Sequence, residues 1–457
     1  MSAPPALPGL HSGETPIDRA LTLRLAGESE TALRWAAAAL QAEPELPSAL
    51  LLVAELLAEL GRRDPAREGL EVCVARAIDA GLLPLAVAAC VALRSLGVDA
   101  SKSFDAIADA FHAGSPRLDD DGRQMPPLPP KAAELQPLSS LLTGPALLNK
   151  AVEILRAATS KMKLAMSEER DSSPAPMVPA LPLFSRLSRL GLRTLIEAFE
   201  VRVVPAGGVL IEEGSPGSEA FIVARGELEV RRQIEGAAPM VLARLQNGQV
   251  FGEMALVSRA PRAASVVASR PSLVLAAHVD SLEVVAARAP EVGEQLATFC
   301  RERMLQNLVR TSPILGAVDP SERGGLVSRF ETRTFETGDL LIRRGETSTG
   351  VFLIASGEVD VRAEDESGDA LTIASLGPGE VVGEVAMILR RPAGADVVAR
   401  FPTVTLHLSG ATFLDVLRQH PTLLAQLYEL AVKRDEETSS VVAQHAMAAE
   451  ADEYILV

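Results

Sequence analysis

The feature that most constrains this chain is an internal repeat with a constant offset of 131 residues. Glycine, proline and apolar positions stay in step over about 85 residues without a gap. The matched pairs include Pro182 and Pro313, Gly207 and Gly338, Gly214 and Gly345, Phe221 and Phe352, Gly226 and Gly357, Gly248 and Gly379, Gly252 and Gly383, and Pro261 and Pro392. Because chance does not hold such positions in register over this length, the sequence predicts two consecutive copies of one domain.

Each copy has the pattern of short strands separated by glycine turns and flanked by helices. In the first copy, runs rich in Val, Ile and Phe predict strands at 201–204, 209–211, 220–224, 227–232, 240–245 and 273–278. A short amphipathic helix is expected over 183–199, and further helices up to about residue 310. This arrangement is typical of an antiparallel β-barrel or jelly roll. We expect the two copies to span 182–310 and 311–434, followed by an acidic tail over 435–457.

The part of the chain before the repeat reads as α-helical. Residues 12–113 are rich in Ala and Leu, and Gly27 and Gly61, which each close an apolar stretch, lie 34 residues apart. A period of 34 residues built from helix pairs is the tetratricopeptide spacing. Two repeats are few for a stable solenoid, so a small helical bundle without a binding groove fits the same residues. A Pro-rich linker over 114–181, with one helix at about 145–166, connects this region to the first copy, and the predicted fold class is α+β multidomain.

Composition and charge exclude several classes of protein. The formal net charge is −16, which argues against broad nucleic-acid binding because that binding depends on neutralising phosphates. No apolar run reaches the roughly 18 residues of a membrane span, and no secretory signal is recognisable, so we expect a cytoplasmic protein. Three widely spaced cysteines (Cys73, Cys90 and Cys300) fit neither a disulfide framework nor a metal site, and no metal is expected.

The segment 251–266, FGEMALVSRAPRAASV, has residues suited to a sugar joined to a phosphate. A glycine and a glutamate that open a short helix present unsatisfied backbone N–H groups to an anion, and Gly252 permits close approach of the backbone. Arg262 offers a planar fork of donors to phosphate oxygens, a contact worth about 1.5–3 kcal/mol. The small residues Ala263 and Ala264 leave room for further N–H contacts. Glu253 accepts hydrogen bonds only, which suits a sugar hydroxyl.

This segment resembles the phosphate-binding cassette of cyclic-nucleotide-binding domains, the family of kinase regulatory subunits and bacterial catabolite activators. The resemblance covers about 182–434 in two copies. It implies that Gly252 and Glu253 bind the ribose 2′-hydroxyl, that Arg262 and the amides of Ala263 and Ala264 bind the cyclic phosphate, and that Glu219 orients Arg262. The predicted ligand-binding set is Gly252, Glu253, Met254, Ala255, Arg262, Ala263 and Ala264, with Glu219 behind it. Since the family often has threonine or serine at the position of Ala263 when it binds cyclic GMP, cyclic AMP is the favoured ligand.

The second copy departs from this pattern at the positions that bind phosphate. Its cassette reads VGEVAMILRRPAGADV, in which Ala393 replaces the arginine and Asp396 replaces Ser265. Gly350 stands at the position of Glu219. Loss of one partner of a desolvated charge pair costs about 2–5 kcal/mol, so the second site is expected to be degenerate. We expect the retained Gly383 and Glu384 to preserve the fold.

Nothing in the sequence indicates catalysis, since it contains no P-loop, nucleophile elbow, zinc-protease motif or kinase signature. Residues 434–457 are too few and too acidic for the DNA-binding module of the catabolite-activator type. The kinase-regulator type carries an arginine pair just before a serine or alanine, whereas 166–182 holds only Arg170. The sequence therefore predicts a cyclic AMP receptor whose N-terminal helices contact a protein partner. The alternative is a scaffold that needs no ligand, and a transcription factor is the third possibility.

Overall fold

The computed structural model describes residues 13–119, 135–172, 176–233, 238–254, 256, 261–312, 316, 318–319, 321, 325–326, 328–364 and 370–455. The chain divides into two compact units. The first comprises Met1–Glu253 with Ala264–Ala297, and the second comprises Met254–Ala263 with Thr298–Val457. The first unit holds the N-terminal helices and most of the first copy of the repeat, and the second unit holds all of the second copy together with 254–263 and 298–310 of the first.

The N-terminal helices pack against one another in sequence order. They are α1 (Pro16–Leu25), α2 (Ser29–Ala42), α3 (Pro47–Glu59), α4 (Arg63–Asp79), α5 (Leu83–Ser95), α6 (Ser101–Phe111) and, further along the chain, α7 (Gly144–Ser172). Gly27 and Gly61 have φ angles of +80° and +85° and occupy the turns after α1 and α3. The two glycines therefore sit at equivalent places in successive helix pairs, and the expected helical region is confirmed.

Helix α7 is part of this helical core, whereas the helix predicted at about 145–166 was expected to lie within a linker. Its buried face includes Leu147, Ala151, Leu155 and Met162 and packs against α2, α3 and α4. Two short strands that precede and follow α7 in the sequence, β1 (Leu118–Asp119) and β2 (Val178–Pro179), pair in parallel with each other. The apolar stripe of α7 is thus satisfied by neighbouring helices of the same unit.

The first copy folds into two four-stranded antiparallel sheets. Its elements are α8 (Arg189–Glu197), β3 (Glu200–Val204), β4 (Val209–Ile211), β5 (Glu219–Arg225), β6 (Leu228–Arg232), β7 (Met240–Leu245), β8 (Val250–Phe251), β9 (Ser265–Ala268), β10 (Ser272–His278), α9 (Val279–Arg288) and α10 (Pro290–Thr311). The strand orders are β3-β10-β5-β8 and β4-β9-β6-β7. Phe221 and Phe251 stack in the core with ring centres 5.4 Å apart. Strands β8 and β9 were not among the predicted strands.

The second copy repeats this fold strand for strand. Its elements are β11 (Glu331–Phe335), β12 (Leu340–Ile342), β13 (Gly350–Ser356), β14 (Val359–Glu364), β15 (Ala370–Leu376), β16 (Val381–Val382), α11 (Glu384–Leu389), β17 (Asp396–Ala399), β18 (Thr403–Ser409), α12 (Gly410–Gln419) and α13 (Pro421–Ile455). The sheet orders are β11-β18-β13-β16 and β12-β17-β14-β15, which match those of the first copy. Helices followed by two β-barrel domains confirm the predicted fold class.

Helix α13 extends beyond the predicted end of the second copy. The second copy was expected to end at residue 434 and to be followed by an acidic tail over 435–457, but the helix continues to Ile455. After Pro421 the segment contains neither proline nor glycine and is rich in Ala and Glu, residues with high helix propensity. No helix in the described part of the chain is both long enough and apolar enough to cross a membrane.

The helical region is anchored to the first barrel by a buried carboxylate. Asp18 on α1 is 1% exposed, and its Oδ1 accepts a hydrogen bond of 2.8 Å from Nη2 of Arg225, at the end of β5. Its other oxygen pairs with Arg270. Burial tends to raise the pKa of Asp18, but the two guanidinium groups outweigh that effect and lower the pKa below its usual value. In the second copy the equivalent positions are Ser356 and Phe401, so this anchor is specific to the first barrel.

Replacing this carboxylate should destabilise the first unit in a pH-dependent way. Asp18→Asn leaves Arg225 buried without a counter-ion, so we expect a loss of about 3–5 kcal/mol in unfolding free energy at pH 7. Because the folded-state pKa of Asp18 is lowered, its contribution is present above the unfolded pKa and is lost as the pH falls through the folded value. Urea unfolding at neutral and acid pH should show the difference between the two proteins shrinking.

A matched control is Glu71→Gln, which removes an exposed carboxylate 3.9 Å from Arg67. An exposed pair of this kind contributes about 0.5 kcal/mol or less. Equal effects of the two substitutions would contradict the anchoring role of Asp18.

Candidate functional site

The predicted binding segment of each copy begins with a glycine that no other residue could replace without strain. Gly252 follows β8 with a φ of +75°, and Gly383 follows β16 with a φ of +90°. A Cβ on Gly383 would lie 2.6 Å from the carbonyl oxygen of Gly350. Glycine is therefore required at this position by both backbone conformation and space.

The glutamate after each glycine is buried. Glu253 is 3% exposed and Glu384 is 1% exposed. Met254 is half-buried, and the predicted site residue Ala255 lies outside the described residues. Arg262 and Ala264 are half-buried and Ala263 is exposed, immediately before β9. The ligand contacts expected of these residues stay a prediction.

Glu219, at the start of β5, is bound to an arginine that was not among the predicted site residues. Its Oε2 accepts a 2.9 Å hydrogen bond from Nη1 of Arg202 on β3, and its Oε1 pairs with the other terminal nitrogen. The guanidinium carbon of Arg202 lies 5.8 Å from the centre of the Phe221 ring. The hydrogen bonds to Glu219 raise the pKa of Arg202 above its usual value. The second copy has an arginine, Arg333, at the position equivalent to Arg202, and this match could have singled out Arg202 from the sequence. The orienting role of Glu219 toward Arg262 stays a prediction.

In the second copy a histidine accompanies the loss of this glutamate. His407 stands where the first copy has Ala276, and its ring centre lies 4.6 Å from that of Phe352. The side chain is 3% exposed, and neither ring nitrogen has a hydrogen-bond partner among the described residues. Its Nε2 lies 2.9 Å from the place that a Cβ on Gly350 would occupy. The glycine at 350 thus makes room for the imidazole.

The arrival of Asp396 in the second cassette has a structural explanation. In the first copy the Ser265 hydroxyl accepts a 2.9 Å hydrogen bond from the backbone N–H of Glu213. In the second copy Oδ1 of Asp396 accepts a 2.7 Å hydrogen bond from the backbone N–H of Arg344. Residues 213 and 344 are equivalent in the repeat, so both side chains stabilise the same turn.

Glu384 has a cationic partner from the terminal helix. Its Oε1 accepts a 2.6 Å hydrogen bond from Nη1 of Arg434 on α13, which also donates to the carbonyl oxygen of Val381. Burial raises the pKa of Glu384, and the nearby Arg434 opposes that shift. Arg434 was not among the predicted site residues, although the repeat offset places an arginine, Arg303, at the equivalent position of the first copy.

Ala393 stands at the position equivalent to Arg262 of the first copy, and its side chain is buried. Its backbone N–H donates a 2.9 Å hydrogen bond to the carbonyl oxygen of Glu346, and its own carbonyl oxygen accepts one of 2.8 Å from Gly345. The nearby Arg391 forms an ion pair with Asp435 on α13. Within the described part of the chain, no group of three His, Cys, Asp or Glu residues is placed to hold a metal ion.

Comparison with known proteins finds one family model that matches both copies. Residues 201–288 and 332–420 match the family model of the cyclic nucleotide-binding domain. A cAMP-dependent protein kinase regulatory subunit from Blastocladiella emersonii is 29% identical over 218 residues, which are 48% of this chain and 52% of that protein. One from Hypocrea atroviridis is 30% identical over 263 residues, which are 56% of this chain and 54% of that protein. The chain thus spans about half the length of these curated relatives.

A solved structure, the regulatory domain of Toxoplasma gondii PKA with cAMP, is 24% identical. The match covers 54% of this chain and 90% of that one, with a TM-score of 0.27. The family match, by contrast, falls on each barrel separately and confirms the resemblance predicted from the two cassettes.

The buried histidine should make the second barrel sensitive to mild acid. Burial and the charge of Arg333 lower the pKa of His407, with Glu331 acting weakly in the opposite direction. Because the unfolded state, with a pKa near 6.5, then binds more protons, stability should fall as the pH drops below about 6.5. Urea midpoints between pH 8 and pH 5 should show this loss, and His407→Ala should reduce it.

The control for this experiment is His278→Ala, since His278 ends β10 of the first copy with an exposed side chain. We expect that variant to retain the pH dependence of the native chain. An unchanged slope in His407→Ala would show that His407 is not the responsible group.

Proposed function

We propose, from the two cyclic nucleotide-binding domains that this chain carries, that it is a non-catalytic receptor for cyclic AMP. Ligand binding in the first domain would be relayed to a protein partner. The proposal depends on one contrast between the copies. The first keeps Arg262 together with a buried Glu253, whereas the second has Ala393 in place of the arginine.

The chemistry of the first cassette suits a cyclic nucleotide. Arg262 would neutralise the single negative charge of the cyclic phosphate, and the amides of Ala263 and Ala264 would donate to its oxygens. The carboxylate of Glu253 would accept the ribose 2′-hydroxyl, in a buried place where water competes weakly for the hydrogen bond. The backbone of Gly252, bare of any side chain, would lie against the sugar.

The relay would run along β5 within the first unit. This strand begins at Glu219, which the family resemblance places behind the phosphate site, and ends at Arg225, which binds the buried Asp18 of α1. A shift of β5 on ligand binding would therefore alter the anchor of the helical region. Coupling of this kind between two sites typically amounts to about 1–3 kcal/mol. The protein partner would bind the helical region, and its affinity would depend on how that region is held by the first barrel.

The names of the curated relatives suggest a kinase catalytic subunit as the first partner to test. The sequence favours a partner other than a kinase catalytic subunit, because 166–182 contains a single arginine rather than the arginine pair of the kinase-regulator type. The lack of any enzymatic motif in the sequence supports a purely regulatory role.

Calorimetric titration with cyclic AMP tests the receptor. We expect one binding site per chain, tighter binding of cyclic AMP than of cyclic GMP, and a loss of about 30- to 4,000-fold in affinity for Arg262→Ala, the equivalent of about 2–5 kcal/mol. Ligand at a hundred times its dissociation constant should raise the unfolding free energy by about 2.7 kcal/mol.

The matched control is Arg391→Ala, which removes an arginine from the second cassette and should leave the affinity for cyclic AMP unchanged. If the native chain shows neither heat of binding nor a rise in melting temperature, the protein is a ligand-independent scaffold instead.

A kinase assay tests the identity of the partner. The full chain, added in excess to the catalytic subunit of a cyclic AMP-dependent protein kinase acting on a model peptide, should leave the rate unchanged. Inhibition that cyclic AMP relieves would contradict this expectation and would identify the catalytic subunit as the partner.

A further inference from the structure

The second barrel contains a cavity of about 480 Å³ that the proposed function does not use. Its walls are mainly aliphatic and come from both sheets and from α13. They include Ile342, Leu376, Val382 and Val397 on the strands and Leu430 and Val441 on the helix. A cavity of this volume is in the range that accommodates a drug-sized molecule.

The charged groups around the cavity are paired with one another. Arg434 of α13 binds the buried Glu384, and Arg391 binds Asp435, the next residue of α13. Lys433 lies 3.6 Å from Glu437 one turn further along the helix. The pairs of Arg434 with Glu384 and of Arg391 with Asp435 join the cassette to α13, so the helix covers the cavity and neutralises charges at its rim.

An anion would find no compensation in this cavity. The position that carries a guanidinium in the first copy holds Ala393, and the carboxylate of Asp396 is engaged by the backbone N–H of Arg344. Four carboxylates line the cavity against three cations (Glu380, Glu384, Asp435 and Glu437 against Arg391, Lys433 and Arg434). A phosphate that entered would lose its hydration without gaining an unengaged cation.

The Glu384 carboxylate, which suits a ribose hydroxyl, already has its Oε1 engaged by Arg434, so it offers a ribose less than a carboxylate with both oxygens available. An apolar molecule, in contrast, gains roughly 25 cal/mol for each Å² of surface that it removes from water. We propose that the second barrel binds an uncharged, largely apolar small molecule beneath α13, and that this site is independent of cyclic nucleotides.

The test uses N-phenyl-1-naphthylamine, an uncharged two-ring fluorescent probe, with the full chain. We expect its fluorescence to rise on binding with a stoichiometry of one. Neither cyclic AMP nor adenosine should displace it at concentrations that saturate the first domain. Displacement by either would overturn the proposal, since it would make the second cavity a nucleotide or nucleoside site. Absence of any probe binding would overturn it as well.

A pair of matched variants locates the probe. Ala374→Phe places a ring in the second cavity from a half-buried position on β15, and Ala243→Phe makes the same change at the equivalent, exposed position of β7. Probe affinity should fall at least tenfold in Ala374→Phe and should be unchanged in Ala243→Phe. The reverse pattern would overturn the proposal, because it would place the probe on the first barrel.

Two further measurements keep these outcomes interpretable. Thermal unfolding should show that Ala374→Phe is folded; if it is not, Ala393→Arg replaces it, because a guanidinium inside the cavity should weaken the probe to a similar degree. Titration of Ala374→Phe with cyclic AMP should give the affinity of the native chain. Suppose that the native chain binds the probe but not cyclic AMP, and that only Ala374→Phe weakens probe binding. The receptor proposal then fails, while the apolar site stands.

Discussion

A carboxylate enclosed by a protein must be hydrogen-bonded by donors strong enough to replace water, and this requirement governs both cassettes. The backbone conformation of Gly252 and Gly383 leads directly into a glutamate that is almost completely buried. In the second copy the donor is Arg434, a residue of the same chain. In the first copy we propose that the hydroxyl of a ribose is one such donor. The same buried group can therefore serve as part of a ligand site or as part of the fold.

The two copies differ by substitutions that compensate one another. Loss of the glutamate at position 350 accompanies the gain of His407, and Asp396 supplies the hydrogen bond that Ser265 supplies in the first copy. The first change fills a core position with an imidazole, and the second keeps a turn intact. The second barrel thus keeps the strand order and turns of the first although Ala393 stands in place of the cassette arginine, because folding and ligand recognition depend on different groups.

Much of the fold was predictable because the same pattern of apolar runs and glycine turns occurs in both copies, so each predicted strand is supported twice. The strands of the first copy lie within one residue or so of their predicted bounds where valine and isoleucine alternate with glycine turns, as in β4 (Val209–Ile211). Long-range side-chain pairs were not predictable. Arg434 reaches Glu384 across 50 residues, and neither propensity nor periodicity carries information about such a contact. The packing of α7 was missed for a related reason, since an apolar stripe shows that a helix is covered without showing what covers it.

The two arginines that receive Asp18 have a consequence for how the chain assembles. The two barrels present closely similar sheets, and the helical region must select one of them. Ser356 and Phe401 offer no positive charge at the places where Arg225 and Arg270 stand, so docking on the second barrel would enclose Asp18 without a counter-ion. Such a mismatch costs several kcal/mol, which is enough to exclude the wrong pairing during folding. Arg225 and Arg270 thereby distinguish the two otherwise similar barrels, since only the barrel that carries them can bind the helical region through Asp18.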